Sequence, residues 1–387
     1  MKFSNSITSV SPSVTLEFNQ KALEMLSKGE DVVKLTAGEP DFPTPKPIIE
    51  AAVEAMREGK TKYTNASGIP LLREKISEKL RVENHLNYSP DEIIVTNGGK
   101  QALYNTLSAI LNPGDEVILF APAWVSYGAQ VKMCGGIPIF VGTKMEDDFL
   151  PKIKDIEKAI SPRTRAMIIN SPNNPTGTMY PESLLTELAN LAKSQDIFVI
   201  SDEVYEKLSF DEKHFSIASI EGMKDRAAVI NAFSKAYAMT GWRIGYVAAP
   251  HSLAKQIAKI QSHLSSNVNT MTQYAAVKAF GVDISEMLEE FIKRREYVET
   301  RLKKIGVPFS HPKGAFYFFI DIRDYLTETY PDSLSFAIAL LEKAKVGMIP
   351  GSAFNAEGFI RLSYASSIET LKKGLDRFEG FLKKSDR

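Results

Sequence analysis

The sequence predicts an α/β fold: a large domain with a mostly parallel seven-stranded sheet covered by helices, joined to a smaller α+β domain. Three observations predict it. From about residue 46 to about 250, short β-branched runs alternate with longer helical stretches, the pattern of stacked βαβ units. Past about residue 305 the texture changes to brief apolar runs between separate helices. The chain has 387 residues, 44% hydrophobic and 24% charged, enough for two or three domains and a large core.

The strands expected in the large sheet are Ile93–Thr96, Val117–Phe120, Ile137–Val141, Ala166–Asn170, Ile197–Ser201, Ala228–Ala232 and Ile244–Ala249. The clearest helix between them runs from Lys100 to Leu111. Leu103, Leu107, Ile110 and Leu111 recur there at i, i+4, i+7 and i+8, and Asn112-Pro113-Gly114-Asp115 stops it. After Pro250 one long helical stretch is expected to about Phe280, and another from Ile284 to Lys304 with charge crowding one side. The smaller unit follows: the apolar run Ala315–Ile320, a helix near 333–345, a short strand at Ile360–Ser363 and a final helix over 367–383. The first 40 or so residues, punctuated by Pro12, Gly38 and Pro40, should hold one helix and an extended arm. The expected division is an N-terminal arm, 1–45, packing with the small domain; a large domain, 46–285; and a small C-terminal domain, 286–387.

Composition narrows the function. Lys plus Arg (47) balance Asp plus Glu (47), so no bulk charge draws the chain to nucleic acid or an anionic membrane. The one cysteine, Cys134, excludes an internal disulfide, and the five histidines show no paired ligand spacing, so no metal is expected. Met133 and Cys134, before Gly135-Gly136, read as a loop or strand edge without a role. Residues Met1 to Ser6 lack the apolar run of a secretory leader and no stretch is long enough to span a bilayer, so a soluble, cytoplasmic protein is expected.

In an open parallel sheet a ligand binds beyond the carboxyl ends of the strands, so the polar residues that follow those ends carry the argument. Thr96-Asn97-Gly98-Gly99 precedes the Lys100 helix; this is an ordinary strand-to-helix turn or a phosphate cradle, since glycines admit a ligand to backbone N–H groups and a helix N-terminus favours anions. Asn170 is followed by Ser171-Pro172-Asn173-Asn174-Pro175-Thr176-Gly177, which is either plain turn chemistry or a rigid mount for an amide side chain. Asp202 comes directly after a strand that reads as buried on both faces, so a structural cation or a ligand must meet it. Lys235 follows Ala228–Ala232 among small and aromatic residues, where desolvation would lower its pKa, as imine-forming lysines require. A lone lysine is ordinarily a solvated surface residue; here Gly98, Gly99, Asn174, Asp202 and Lys235 all fall on one edge of one sheet.

At these residues the sequence resembles the fold-type I, pyridoxal-phosphate-dependent aminotransferases of the aspartate aminotransferase superfamily, in their bacterial and archaeal class I branch. The resemblance spans nearly the whole chain. It runs from Thr36-Ala37-Gly38-Glu39-Pro40-Asp41-Phe42 through Lys62-Tyr63-Thr64, Gly98-Gly99-Lys100-Gln101-Ala102-Leu103, Trp124-Val125-Ser126-Tyr127 and Asn173-Asn174-Pro175-Thr176-Gly177. It continues through Ser201-Asp202-Glu203-Val204-Tyr205 and Ser234-Lys235 to Gly314-Ala315-Phe316-Tyr317 and Arg361-Leu362-Ser363-Tyr364.

The resemblance implies pyridoxal 5′-phosphate as cofactor, held by the large domain. Lys235 would bind it as a Schiff base and then move a proton as general base and acid. Asp202 would keep its pyridine nitrogen protonated, and Tyr205 and Asn174 would donate to its phenolate oxygen. Trp124 would stack on the ring, although alone it reads as a core aromatic. The phosphate would lie against Gly98, Gly99 and Lys100, the side chains of Ser234 and Arg243, and Tyr63 from the other subunit of a homodimer with shared active sites. Arg361, assisted by the backbone near Gly38 and by Asn174, would grip the substrate α-carboxylate.

The family's partner-subunit arginine for a distal carboxylate is absent, since no arginine lies between Arg243 and Arg294. The branch resembled here uses an N-terminal Ser-x-Thr and a lysine instead, matched by Ser13, Thr15 and Lys100. The resemblance therefore implies transfer of the amino group of L-aspartate to 2-oxoglutarate in ping-pong fashion, with prephenate or other amino acids as alternative substrates. Related carbon–sulfur β-lyases and aminocyclopropane-carboxylate synthases share the Lys235, Asp202 and Arg361 equivalents and differ in needing no keto acid. An aminotransferase-like sensing domain would carry a DNA-binding segment where only about 40 residues stand, and a nicotinamide dehydrogenase would show a glycine fingerprint that is missing.

Overall fold

The computed structural model describes residues 2–12 and 14–385. Its centre is the seven-stranded sheet, here labelled β1 (Ile93–Thr96), β2 (Glu116–Ala121), β3 (Ile137–Gly142), β4 (Thr164–Asn170), β5 (Phe198–Asp202), β6 (Ala227–Ala232) and β7 (Gly245–Ala248). Their order across the sheet is β1-β7-β6-β5-β4-β2-β3. All neighbours are parallel except β7, which runs antiparallel to both β1 and β6. Each predicted strand is present, with ends shifted by at most a residue or two.

Alternation along the strands explains the layers. Ile93, Val95, Ile118, Met167, Ile169, Val199 and Val229 enter one core. Their neighbours Ile94, Val117, Leu119, Ile168, Ile200 and Ile230 enter another on the opposite face. Both faces are therefore covered, as parallel sheets require. The smaller unit is a four-stranded antiparallel sheet in which Tyr317–Asp321 pairs with Phe359–Ser363, backed by helices Ser333–Ala344 and Ile368–Ser385. Helix Ser285–Ile305 sends Met287, Phe291, Val298 and Leu302 into that unit's core.

The N-terminal arm joins the small unit: Val33–Lys34 pairs in parallel with Val346–Gly347, and Phe18, Ala22 and Met25 cluster with Phe319, Ala337 and Leu341. Residues 36–41, which follow the Val33–Lys34 strand, line a cleft together with the ends of strands of the large sheet and Arg361 of the small one.

Three expectations need correction. The helical stretch after Pro250 is two helices, His251–Leu264 and Thr270–Ala279. Ser266 takes a positive φ of 56°, and the Asn269 side chain accepts from the Thr272 N–H at 3.0 Å, so a turn and an N-cap outcompete helix continuation. Met133 and Cys134 close a helix, Ser126–Met133, with the Cys134 N–H donating to Gln130 O at 3.0 Å. The first 40 residues contain a short helix, Asn5–Thr8, besides the longer Val14–Ser27. Among the described residues no helix is long and apolar enough to cross a membrane.

Beneath the end of β5 lies a buried polar cluster of Glu203, Glu206 and His214, whose ligand-type atoms lie within 4.8 Å of one another. Lys79 forms an ion pair with Glu206, which also accepts from Asn84 at 2.6 Å. Burial alone would raise the Glu206 pKa; Lys79, His214 and these hydrogen bonds outweigh it and bring it down to about 2. Because the folded-state pKa is depressed, this stability is present above the ordinary value of 4.5 and is lost as pH falls towards 2. Lys79→Ala strands a buried carboxylate and should cost about 3–5 kcal/mol in urea unfolding at pH 7. An unchanged midpoint would show that the pair does not stabilise the fold.

Candidate active site

The carboxyl ends of β4, β5 and β6 open into a cleft of about 690 Å³, closed on its far side by residues 36–41 and by Arg361 of the small sheet. Asn170 and Asp202, the last residues of β4 and β5, stand side by side, and Asn170 Nδ2 donates to Asp202 O at 3.0 Å. The Asp202 carboxylate is buried. It accepts from Tyr127 Oη at 2.7 Å and from the Val204 N–H at 3.3 Å. Burial raises its pKa to about 6, against the lowering effect of those two donors, so a cation placed before it would be strongly favoured.

Lys235 sits on the single turn Phe233–Ala236 that follows β6. Its amine opens onto the cleft and donates to Gly38 O. Burial, reinforced by Arg361 and Arg243 and opposed by Glu39, lowers its pKa to about 8, which places a reactive neutral amine within reach of neutral pH. Arg361 is buried on Phe359–Ser363 and donates from Nη1 to Asn174 Oδ1 at 2.8 Å and from Nη2 to Thr36 O at 3.0 Å. Asn174 is itself pinned by its N–H donating to Asn170 Oδ1 at 2.9 Å. Tyr205 is buried with its hydroxyl 2.9 Å from that of Tyr317.

At the other end of the cleft, helix Gly99–Ile110 begins. Gly98 has φ 79°, and a Cβ there would stand 2.5 Å from Arg243 Nη2. Only glycine allows the guanidinium to lie against this helix N-terminus. Gly245 serves the same approach, since its Cβ would meet the Gly99 nitrogen at 2.7 Å. A compact region of backbone N–H groups and guanidinium results, suited to a phosphate.

Of the residues singled out from sequence, Lys235, Asp202, Tyr205, Asn174, Arg361, Gly38, Gly99, Lys100, Trp124, Ser234, Arg243 and Thr15 all line this cleft. Lys100 reaches over Trp124, 5.0 Å from its ring, and burial and then Arg243 lower its pKa. Gly98 lies just behind the lining as the helix N-cap. Tyr63 is elsewhere, 90% exposed on the surface of this chain. Ser13 lies outside the described residues. Sequence reasoning gave no role to Tyr127, Asn170 or Tyr317, which hold Asp202, Asn174 and Tyr205; two of them stand inside quoted motif blocks, which was their only signal.

A cleft with an amine, a buried acid and a guanidinium at a parallel sheet's carboxyl edge defines the class, and comparison bears it out. Residues 30–378 match the family model for aminotransferase class I and II, and the chain belongs to that family as an aminotransferase. It is 46% identical over 379 residues to the aspartate aminotransferase of Thermotoga maritima, covering 98% of this chain and 99% of that one. It is 43% identical to the aspartate/prephenate aminotransferase of Thermus thermophilus, covering 97% of each. Among solved structures, the Thermus thermophilus aspartate aminotransferase with maleate superposes with a TM-score of 0.94 at 42% identity, covering 98% of this chain and 99% of that one.

Proposed function

We propose that this aminotransferase works with pyridoxal 5′-phosphate and moves the amino group of L-aspartate to 2-oxoglutarate, giving oxaloacetate and L-glutamate. The observation that carries the reading is the convergence of Lys235, Asp202 and Arg361 in one cleft. The residues present fit the cofactor: a buried carboxylate for a ring nitrogen, an amine of lowered pKa for an aldehyde, and the Gly98–Arg243 cradle, with Ser234, for a phosphate. Bound there, the cofactor would withdraw electrons from the substrate Cα.

The chain's own groups do the rest. Arg361 and Asn174 would clamp the α-carboxylate, Trp124 would cover the ring, Tyr205 would donate to the phenolic oxygen, and Lys235 would take the proton from the substrate Cα and deliver it to the carbon that the cofactor's aldehyde supplies. Lys100 and Thr15, which line the cleft, are assigned to the distal carboxylate, together with Ser13. Prephenate is a second acceptor to assay, because relatives from Thermus thermophilus and Petunia hybrida carry it in their names.

The exposure of Tyr63 supports a homodimer in which this side chain reaches the neighbouring subunit's phosphate. Pairing of the arm with Val346–Gly347 supports dividing the chain at 1–45, 46–285 and 286–387, and a cytoplasmic location suits the small-molecule substrates.

An absorbance titration tests the reading. Purified protein should show a band near about 430 or 360 nm that aspartate converts to one near about 330 nm and 2-oxoglutarate restores. Conversion by another amino donor but not by aspartate would keep the class and reject the substrate.

A further inference from the structure

We propose that Tyr317 is a positioning residue that holds two working groups of the cleft at once, the guanidinium plane of Arg361 through its ring and the hydroxyl of Tyr205 through its own hydroxyl. The inference rests on the cofactor reading above.

The backbone makes the arrangement possible. In the antiparallel ladder Tyr317 pairs with Ser363 and Phe319 with Arg361, so Tyr317 and Arg361 are diagonal neighbours on one face. Diagonal pairs are within reach of long and aromatic side chains. The Arg361 guanidinium carbon lies 4.3 Å from the Tyr317 ring centre and 5.1 Å from that of Phe354. Its Nη atoms have partners, but Nε is buried and has none among the described residues. Hydrogen bonding therefore leaves the inner edge of the guanidinium unheld, and the flanking rings supply the missing constraint on its tilt.

The hydroxyl pair is directional once Tyr205 acts on the cofactor. A tyrosine hydroxyl has one proton. If Tyr205 donates it into the cleft, the hydrogen bond to Tyr317, 2.9 Å long between two buried groups, must be donated by Tyr317. Such a chain polarises the second donor and strengthens its bond to the acceptor. Tyr317 thus holds Tyr205 in its donating orientation and stabilises the cofactor's anionic phenolate oxygen.

The two contacts separate by substitution. Tyr317→Phe keeps the ring and removes the proton; Tyr317→Leu removes both. With pyridoxal-phosphate-loaded protein, the pH midpoint of the cofactor absorbance band should rise by about 0.3–0.7 units in Tyr317→Phe, as expected for losing part of one hydrogen bond. Calorimetric affinity for maleate, an unreactive dicarboxylate, should stay within about 2-fold in Tyr317→Phe and weaken by about 5–30-fold in Tyr317→Leu. An unmoved midpoint in Tyr317→Phe, or maleate affinity lost equally in both variants, overturns the proposal. Should Tyr317→Leu not fold, the Tyr317→Phe midpoint decides alone. If the unsubstituted protein itself shows no such band, the cofactor reading fails instead.

Discussion

Lys235→Ala should lower the turnover of aspartate with 2-oxoglutarate by on the order of 10⁴-fold, the upper range for a positioned acid–base group. The size follows from what this amine does. Its Nζ opens onto the cleft and donates to Gly38 O, with a pKa brought to about 8 by burial, so it can be neutral to accept a proton and charged to deliver one near neutral pH. Of the other titratable groups lining the cleft, Tyr205 is held well above its ordinary pKa by burial, Asp202 is turned to Tyr127, and Lys100 reaches over Trp124. Cofactor retention should largely survive, because the Gly98–Arg243 cradle and Asp202 are untouched. Single-turnover absorbance traces of the loaded variant separate the two effects. Slow conversion with normal loading supports the assignment, and full turnover refutes it.

Arg361→Leu should reduce kcat/KM for aspartate by about 10²–10³-fold, or about 3–4 kcal/mol, the range for removing one partner of a buried, hydrogen-bonded charge pair. The guanidinium meets Asn174 and Thr36 at 2.8 and 3.0 Å, and a planar fork fixed in this way presents two parallel donors to a carboxylate. Arg361→Lys should recover only a small part, since an ammonium is a point charge that cannot hold the carboxylate in one plane. Both variants should raise KM and lower kcat together, because a loosely held carboxylate lets the Cα–H bond leave the alignment that cleavage needs. A fall in kcat/KM of less than about 5-fold in Arg361→Leu, with thermal unfolding unchanged, would remove Arg361 from the carboxylate site.

The large sheet was legible because its strands are compact Val- and Ile-rich runs, and burial on both faces leaves no other use for them. Lys235, Asp202 and Asn174 were legible for a related reason: each is a polar residue at or within four positions of the carboxyl end of such a run, and although each alone also has a structural reading, all three fall on the edge where a parallel sheet binds its ligand. Roles such as carboxylate recognition by Arg361 came from the family resemblance, since an arginine on a short strand has no distinguishing local pattern. What stayed hidden depends on pairs distant in the chain. Tyr127 and Asp202 are 75 residues apart, Tyr205 and Tyr317 are 112, and Lys79 and Glu206 are 127. No periodicity links them; only the closed fold brings them together. The break at 265–269 was missed because Ser and Asn are tolerated inside helices, and only the fold gives Ser266 its positive φ of 56° and lets the Asn269 side chain cap the next helix by accepting from the Thr272 N–H.

Everything proposed for this cleft turns on one bond, between the ε-amine of Lys235 and the cofactor. Borohydride reduction of the loaded protein, followed by proteolysis and mass spectrometry, reads that bond directly. A phosphopyridoxyl mass increment is expected on the peptide containing Lys235 and none after Lys235→Ala. The increment on another lysine, or none on a protein that transaminates aspartate, would contradict it.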